Sequence, residues 1–330
     1  MKTKIVYVLV SNGDDLYTEQ LYISLLSLKK NSPNSVSYVV VDRNTERVVR
    51  ESRTDILSYI GELIVVDVPN NYSGAKSSRY LKTSLRKYIS GPFLFVDTDT
   101  IIAEPLDDID KMIDKDIDVA AVRDAHCTFK KMPNYNQVIE RANKIGWGDI
   151  KDDEIHYNSG VMFVSDSEKA YGFYKRWHEN WLYEYTKGFY FDQLAMHRTN
   201  HEMDIITELD GSWNFLLFFG ALRFLFPAKI IHYGGTMRDT DAYYFRKKYV
   251  LNKVKANGRL SDKDVYHLEH PKEAFVGNIT LLGENDLGFI RSILHDEYMN
   301  HKKRFRFEES VIGFIQNLGR IKTSIRKVLR

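Results

Sequence analysis

The sequence has a single cysteine, Cys127, so no internal disulfide can form, and the thiol reads as an inert buried or half-buried group. Excess charge of either sign is also missing: Lys and Arg number 47 against 45 Asp and Glu, a formal net charge of +2. A dedicated nucleic-acid binder would concentrate basic charge over the whole domain, so no nucleic-acid partner is expected. Long apolar runs are absent too. The stretch from Phe215 to Pro227 carries Arg223 and falls short of the ~20 residues that a spanning helix needs. Met1-Lys2-Thr3-Lys4 runs directly into a β-like segment without a signal-peptide core, which gives a cytoplasmic expectation. What the chain does have is material for a core. Its 330 residues are 43% hydrophobic and 28% charged, which excludes disorder, collagen and coiled coil and allows two domains or one large α/β domain with an appendage.

Ile5 to Val10 is a continuous β-branched and aromatic run, the pattern of a strand buried on both faces. After the loop Ser11-Asn12-Gly13-Asp14-Asp15, apolar residues from Leu16 to Lys30 recur at helical spacing, and Val36 to Val41 returns to strand character. The alternation predicts a helix over Thr45 to Tyr59, a strand over Leu63 to Val68, a helix over Ser77 to Ile89 and a strand over Phe93 to Val96. These are βαβ units, and the first hundred residues read as a nucleotide-binding half of an open α/β sheet. Such sheets place ligands beyond the carboxyl ends of their strands, so polar residues there are the first candidates for chemistry.

Asp97-Thr98-Asp99 follows the strand Phe93 to Val96 directly. Two carboxylates two positions apart at a strand end can turn toward one hard cation, Mg²⁺ or Mn²⁺, which shares its remaining positions with substrate phosphates. The competing reading is a loop with two solvated aspartates. A second Asp-x-Asp, Asp239-Thr240-Asp241, has no strand before it and is set aside as a decoy. Tyr157-Asn158-Ser159-Gly160 reads as a polar turn entering a buried strand over Val161 to Val164; the Asn and Ser suit sugar hydroxyls, or are ordinary turn residues. Asp192-Gln193 opens a helical stretch after Gly188, where the acid is either functional or a helix N-terminal charge. Lys229 to Ile231 forms a short strand delivering His232-Tyr233-Gly234-Gly235, with Arg238 beyond it, which suggests backbone passing close to a phosphate. Trp177 to Phe191 reads as an amphipathic helix covering the sheet or as an aromatic acceptor groove, and Asp107 to Asp118 as a solvated helix with its flanks.

In this order the motifs resemble the metal-dependent nucleotide-sugar glycosyltransferases of the GT-A fold, and within them glycosyltransferase family 8, which includes glycogenin and the bacterial lipopolysaccharide galactosyl- and glucosyltransferases. The resemblance covers roughly residues 4 to 240, and the joint occurrence of the motifs carries it. It implies an α/β fold with a Rossmann-like, mixed but mostly parallel sheet flanked by helices, to which the sequence adds a helical, basic C-terminal extension. It implies Asp97, Asp99 and His232 as ligands of Mn²⁺, with Mg²⁺ as the alternative. For a UDP-sugar donor it implies contacts from the backbone at Thr98, from Arg79 with Lys82 as understudy, from Asn158, Ser159, Gly235 and Arg238, and from Ser11, Asn12, Asp15 or Tyr17, or the main chain at Val10 or Ser11, to the uracil. Asp192 would bind donor-sugar hydroxyls and Gln193 would lie on the reactive face of the anomeric carbon, while Trp213 and Asn214 border the acceptor site. The family's Lys in a Lys-Pro-Trp context is replaced here by Arg238 without Pro-Trp; Arg can still clasp a diphosphate.

The implied reaction is retaining transfer of a hexose, galactose or glucose, to a saccharide or lipid-linked glycan. Gln193 is a neutral amide and a poor nucleophile, which favours front-face substitution over double displacement by Asp192. Three rivals stand beside this reading. A haloacid-dehalogenase-type phosphatase also uses Asp-x-Asp but wants Thr or Val where Ile101 stands. A sugar-nucleotide nucleotidyltransferase wants a Gly-rich basic loop after its first strand, where this chain has a single glycine and no base. A degenerate member would be a non-catalytic membrane assembly partner.

The expected organisation is a catalytic domain over 1–250, its donor-binding half about 1–125 and its acceptor-side half about 126–250, a helical or loop extension over 251–300, and a tail over 301–330. The tail holds nine Lys and Arg against Glu308 and Glu309, and its apolar residues recur at three and four positions from Val311 to Leu329. A basic amphipathic helix can lie on an anionic membrane surface, which makes the protein peripheral on the inner face of the cell membrane. The competing role is docking on its own domain or on another subunit of an oligomer.

Overall fold

In a computed structural model the protein is described over residues 1–219, 222–234 and 241–275. Ten strands run in chain order: β1 (Lys4–Leu9), β2 (Ser37–Asp42), β3 (Glu62–Val66), β4 (Phe93–Val96), β5 (Thr100–Ile102), β6 (Val119–Arg123), β7 (Tyr157–Val164), β8 (Ile206–Leu209), β9 (Phe215–Leu216) and β10 (Ile230–His232). The helices are α1 (Tyr17–Asn31), α2 (Arg43–Ser52), α3 (Gly74–Thr83), α4 (Lys111–Asp114), α5 (Tyr135–Lys144), α6 (Glu168–Thr186), α7 (Gln193–Met203), α8 (Lys248–Asn257) and α9 (Asp262–Glu269), with short 3₁₀ turns between them.

The main sheet has the order β3-β2-β1-β4-β7-β6-β8. The first four strands are mutually parallel, β7 is antiparallel to both β4 and β6, and β8 is parallel to β6. The strand order reverses between β1 and β4. That is the switch point at which open α/β sheets form a ligand crevice. Alternation along β1 explains its unbroken apolar run: Val6 and Val8 join the core beneath α3, α6 and α7, while Ile5, Tyr7 and Leu9 join the core that holds Leu21, Leu25 and Leu28 of α1. A second, three-stranded sheet has the order β5-β10-β9. In it β5 and β10 are antiparallel, with Thr100 opposite His232.

Four expectations shift. The helix expected over Thr45 to Tyr59 breaks at Arg53, which leaves the helical region at φ −141°; Thr54–Tyr59 continues as a 3₁₀ turn. The cause is the buried Arg53 guanidinium, which pairs with Glu19 and with Asp55. Tyr157-Asn158-Ser159-Gly160 is not a turn but the first half of β7, because pairing across the sheet overrides the local turn preference of Asn-Ser-Gly. The helix expected to reach Phe191 stops at Thr186, and Gly188 supplies a positive φ of 84° in the connection to α7. The expected boundary after residue 250 falls inside α8. Gly235, Arg238, the Asp239 and Thr240 of the decoy motif, and the whole tail over 301–330 lie outside the described residues.

Candidate metal and nucleotide-sugar site

The site begins where β4 ends. Asp97 N donates to Gly160 O at 2.8 Å, continuing the β4–β7 pairing one step beyond the strand, and Thr100 Oγ1 donates to Asp97 O at 2.8 Å to close the Asp-Thr-Asp turn. The small sheet then brings in the third group. Because Thr100 pairs with His232, and Tyr233 N donates to Asp99 O at 3.1 Å, the imidazole of His232 arrives over the turn. Ligand atoms of Asp97, Asp99 and His232 lie within 4.8 Å of one another, the one grouping of this kind among the described residues. Their side chains retain 30%, 22% and 10% exposure, enough for a ligand to enter.

Gly160 makes room for this arrangement. A Cβ there would stand 2.3 Å from His232 Cε1 and 2.9 Å from Asn158 Oδ1, closer than any real contact. His232 Nε2 lies 3.2 Å from Asp99 Oδ1, and the two sustain each other electrostatically. Burial opposes the charge on both, but Asp99 raises the His232 pKa and His232 lowers that of Asp99. Asp97 is raised, chiefly by burial, against the pull of Lys82. Two carboxylate oxygens and an imidazole nitrogen converging on one point fit an Mn²⁺- or Mg²⁺-type ion that leaves positions for substrate oxygens.

Behind the imidazole runs a buried chain of hydrogen bonds. His232 Nδ1 faces Asn214 Oδ1 at 3.1 Å; Asn214 Nδ2 donates to Asn158 Oδ1 at 2.9 Å; Asn158 Nδ2 donates to Asp124 Oδ1 at 3.0 Å; and Gln193 Nε2 donates to Asp124 Oδ2 at 2.5 Å. Asn158 Oδ1 also accepts from Gly160 N. Burial raises the Asp124 pKa while these two amide donors oppose the rise. The residues after Asp124, Ala125 and His126, both adopt positive φ, 52° and 53°, a backbone cost that marks the corner where β6 delivers this carboxylate. Sequence reasoning missed Asp124. The signal was there, a carboxylate directly after the strand Val119–Arg123, in the same position that singled out Asp97 after β4.

Asp192 occupies the N-cap of α7, yet its carboxylate makes no capping bond. It turns instead to Arg79 Nε at 3.0 Å, Lys82 Nζ at 3.3 Å and Ser159 Oγ at 2.9 Å. Burial would raise its pKa, but Lys82, then Arg79 and the Ser159 hydroxyl, outweigh that and hold it down to about 2. Lys82 also reaches Asp97 at 3.3 Å and Ser159 Oγ at 3.1 Å, so one ammonium, with its side chain 6% exposed, joins the Asp-x-Asp turn to Asp192. Arg79 and Lys82 sit one turn apart on α3, which aims both at this point.

Two cavities meet at Arg79 and Asp97. The first, about 740 Å³, is lined from the carboxyl ends of β1 through β4, including Ser11, Asn12, Asp15, Tyr17 and Thr98. Ser11 and Asp15 are occupied with each other, Ser11 Oγ donating to Asp15 Oδ1 at 2.8 Å. The second, about 660 Å³, is lined by Asp124, Asn158, Ser159, Asp192, Gln193 and residues of α5. Trp213 and Asn214 line neither: Trp213 is buried in the core, and Asn214 is fully buried against His232.

No family model matches the chain, and no curated protein matches it in sequence. Solved structures do match in shape. The galactosyltransferase LgtC, in complex with donor and acceptor sugar analogs, aligns with a TM-score of 0.51 at 16% identity over 79% of this chain and 98% of that one. Mouse xyloside xylosyltransferase 1 in its apo form aligns at 0.46 and 14% identity over 70% and 97%, and the glycosyltransferase GlyE of Streptococcus pneumoniae TIGR4 at 0.48 and 16% over 84% and 66%. The LgtC alignment, together with a mostly parallel seven-stranded sheet flanked by helices, shows that the chain has the GT-A glycosyltransferase fold.

Proposed function

We propose that the protein is a metal-dependent, retaining glycosyltransferase that moves a hexose from a UDP-sugar to a saccharide or lipid-linked glycan acceptor. The observation that carries this reading is the convergence, between two cavities, of the Asp97–Asp99–His232 group with the Arg79–Lys82–Asp192 cluster. The first cavity would take the nucleotide and the second the acceptor. A divalent ion held by Asp97, Asp99 and His232 would supply electrostatic stabilisation to the negative charge of the departing diphosphate. Arg79 and Lys82 are the chain's own cations beside that charge, and Arg238 is a further candidate from the sequence.

In the reaction the anomeric C–O bond to the diphosphate breaks, a bond to the acceptor oxygen forms, and the acceptor proton passes to a diphosphate oxygen. Asp192 is ionised but already paired with Arg79 and Lys82 and accepting from Ser159, which blunts it as a nucleophile and suits it to hold sugar hydroxyls. Gln193 gives its amide nitrogen to Asp124, leaving its carbonyl oxygen as the free end. An amide oxygen facing a centre of growing positive charge supports front-face substitution over double displacement.

The test is a panel of nucleotide sugars with Mn²⁺, scored by UDP release, with Asp97→Asn in parallel. The wild type should release UDP from one UDP-hexose, and Asp97→Asn should lower the rate by ~10³-fold, the scale of losing a principal electrostatic contact. Turnover of a different nucleotide's sugar, or UDP release untouched by Asp97→Asn, would reject the assignment. Among the described residues no helix is long and apolar enough to cross a membrane. The basic, amphipathic composition of residues 301–330 supports a peripheral site on an anionic membrane surface.

A further inference from the structure

The loop between β1 and α1, residues 10–16, contributes to one wall of the first cavity; α2 anchors its start, Ser11 N donating to Thr45 Oγ1 at 2.9 Å, and the stretch beyond is held by the loop's own side chains. Asp15 accepts from Ser11 Oγ at 2.8 Å, from Asn12 N at 3.0 Å and from Tyr17 N at 3.1 Å, while Asn12 Oδ1 accepts from Asp14 N at 2.9 Å. These bonds curl the loop, with Gly13 at φ 87°, and turn the carbonyls of Gly13 and Asp15 toward a common point on its outer side. Lys255 fills that point. Its Nζ donates to Gly13 O at 2.6 Å and to Asp15 O at 3.0 Å from some 240 residues away in sequence.

The lysine is the fixed partner in this contact. It stands on α8, whose Leu251 and Val254 are fully buried; Val254 shares a core with Leu21, Tyr22 and Leu25 of α1. An ammonium carried by a helix with its own core anchorage can pin a short loop whose apolar ends, Val10 and Leu16, are only partly buried against the cores. We infer that Lys255 is a positioning residue for nucleotide binding, and that the segment carrying α8 is the outer support of the donor site rather than an appendage. The inference rests on the glycosyltransferase reading for the first cavity taking a nucleotide.

Preorganisation is the physical content. A loop already held in its binding geometry is not ordered again when a ligand arrives, so affinity gains what ordering would have cost. Lys255→Met retains the aliphatic stem and removes the donors. The full chain carrying Lys255→Met should bind UDP in the presence of Mn²⁺ about tenfold more weakly by calorimetry. KM for the donor should rise while kcat stays within about twofold, since Lys255 touches none of the reacting groups. Amide exchange over residues 11–17 should accelerate without ligand, with the thermal midpoint nearly unchanged, and Lys255→Arg should restore most of the affinity because a guanidinium can also serve two carbonyls. Unchanged UDP affinity together with unchanged exchange over 11–17 would overturn the inference. A thermal midpoint that falls in step with affinity, without faster local exchange, would equally overturn it by making Lys255 a global stabiliser. If the wild type binds no UDP at all, the donor assignment fails, and amide exchange alone decides the role of Lys255.

Discussion

At Gly160 a hydrogen atom stands where any other residue would place carbon against the His232 ring. Gly160→Ala should therefore displace the imidazole and weaken Mn²⁺ binding by ~10- to 100-fold, the range seen when a ligand's support is lost, and a metal titration would measure it. Asn214→Leu should weaken Mn²⁺ binding on a similar scale by removing the acceptor for His232 Nδ1. Asp192 gives a pH signature. Its folded pKa of about 2 lies below the ordinary 3.8, so its ion pairs stabilise the fold above about pH 4, and that contribution is lost as pH falls toward 2. Asp192→Asn should cost about 2 kcal/mol at pH 7, and the gap to the wild type in urea midpoint should close at the acid end of that window. The two carboxylates of the candidate group stood out because Asp97 and Asp99 follow an unmistakable strand. Asp124 follows a strand of similar strength but stands alone, and only folding shows that it receives both Asn158 and Gln193.

Elements were legible where one periodicity ran unopposed, as in β1, α1, β2 and β4. They were not where a long-range contact overruled the local pattern. The continuous helix expected over Thr45 to Tyr59 is broken by a guanidinium whose partner, Glu19, belongs to α1. Glu19 is 1% exposed, and burial raises its pKa even against Arg53. Arg53→Met should cost ~3–5 kcal/mol by leaving that carboxylate buried without its cation, and the double replacement Glu19→Leu with Arg53→Met should recover much of it. Urea unfolding of the three variants would check both statements. The small β5-β10-β9 sheet shows the complementary limit. Strands of three and two residues carry little periodic signal, yet this sheet sets the approach of Asp99 and His232.

At the scale of the whole molecule, the near-neutral total hides a division. Residues 301–330 hold nine basic residues against two acidic ones, which leaves residues 1–300 with a small acidic excess. A chain truncated after Asn300 should lose co-sedimentation with anionic vesicles, and equal sedimentation of the two forms would reject membrane binding by the tail. The parallel orientation of the first strands was legible, because βαβ spacing dictates it. The reversal at β7 was not, since an antiparallel strand buried on both faces reads like a parallel one.

The chain of hydrogen bonds from His232 to Gln193 has one more property. An ionised carboxylate only accepts, so Asp124 obliges Asn158 and Gln193 to present nitrogen to it. Asn158 must then show oxygen to Asn214, and Asn214 must show oxygen to the imidazole. Three amides and one tautomer thus share a single binary setting: none can turn over alone, and the acceptor role of one carboxylate reaches, three side chains away, to the ring nitrogen that faces Asn214.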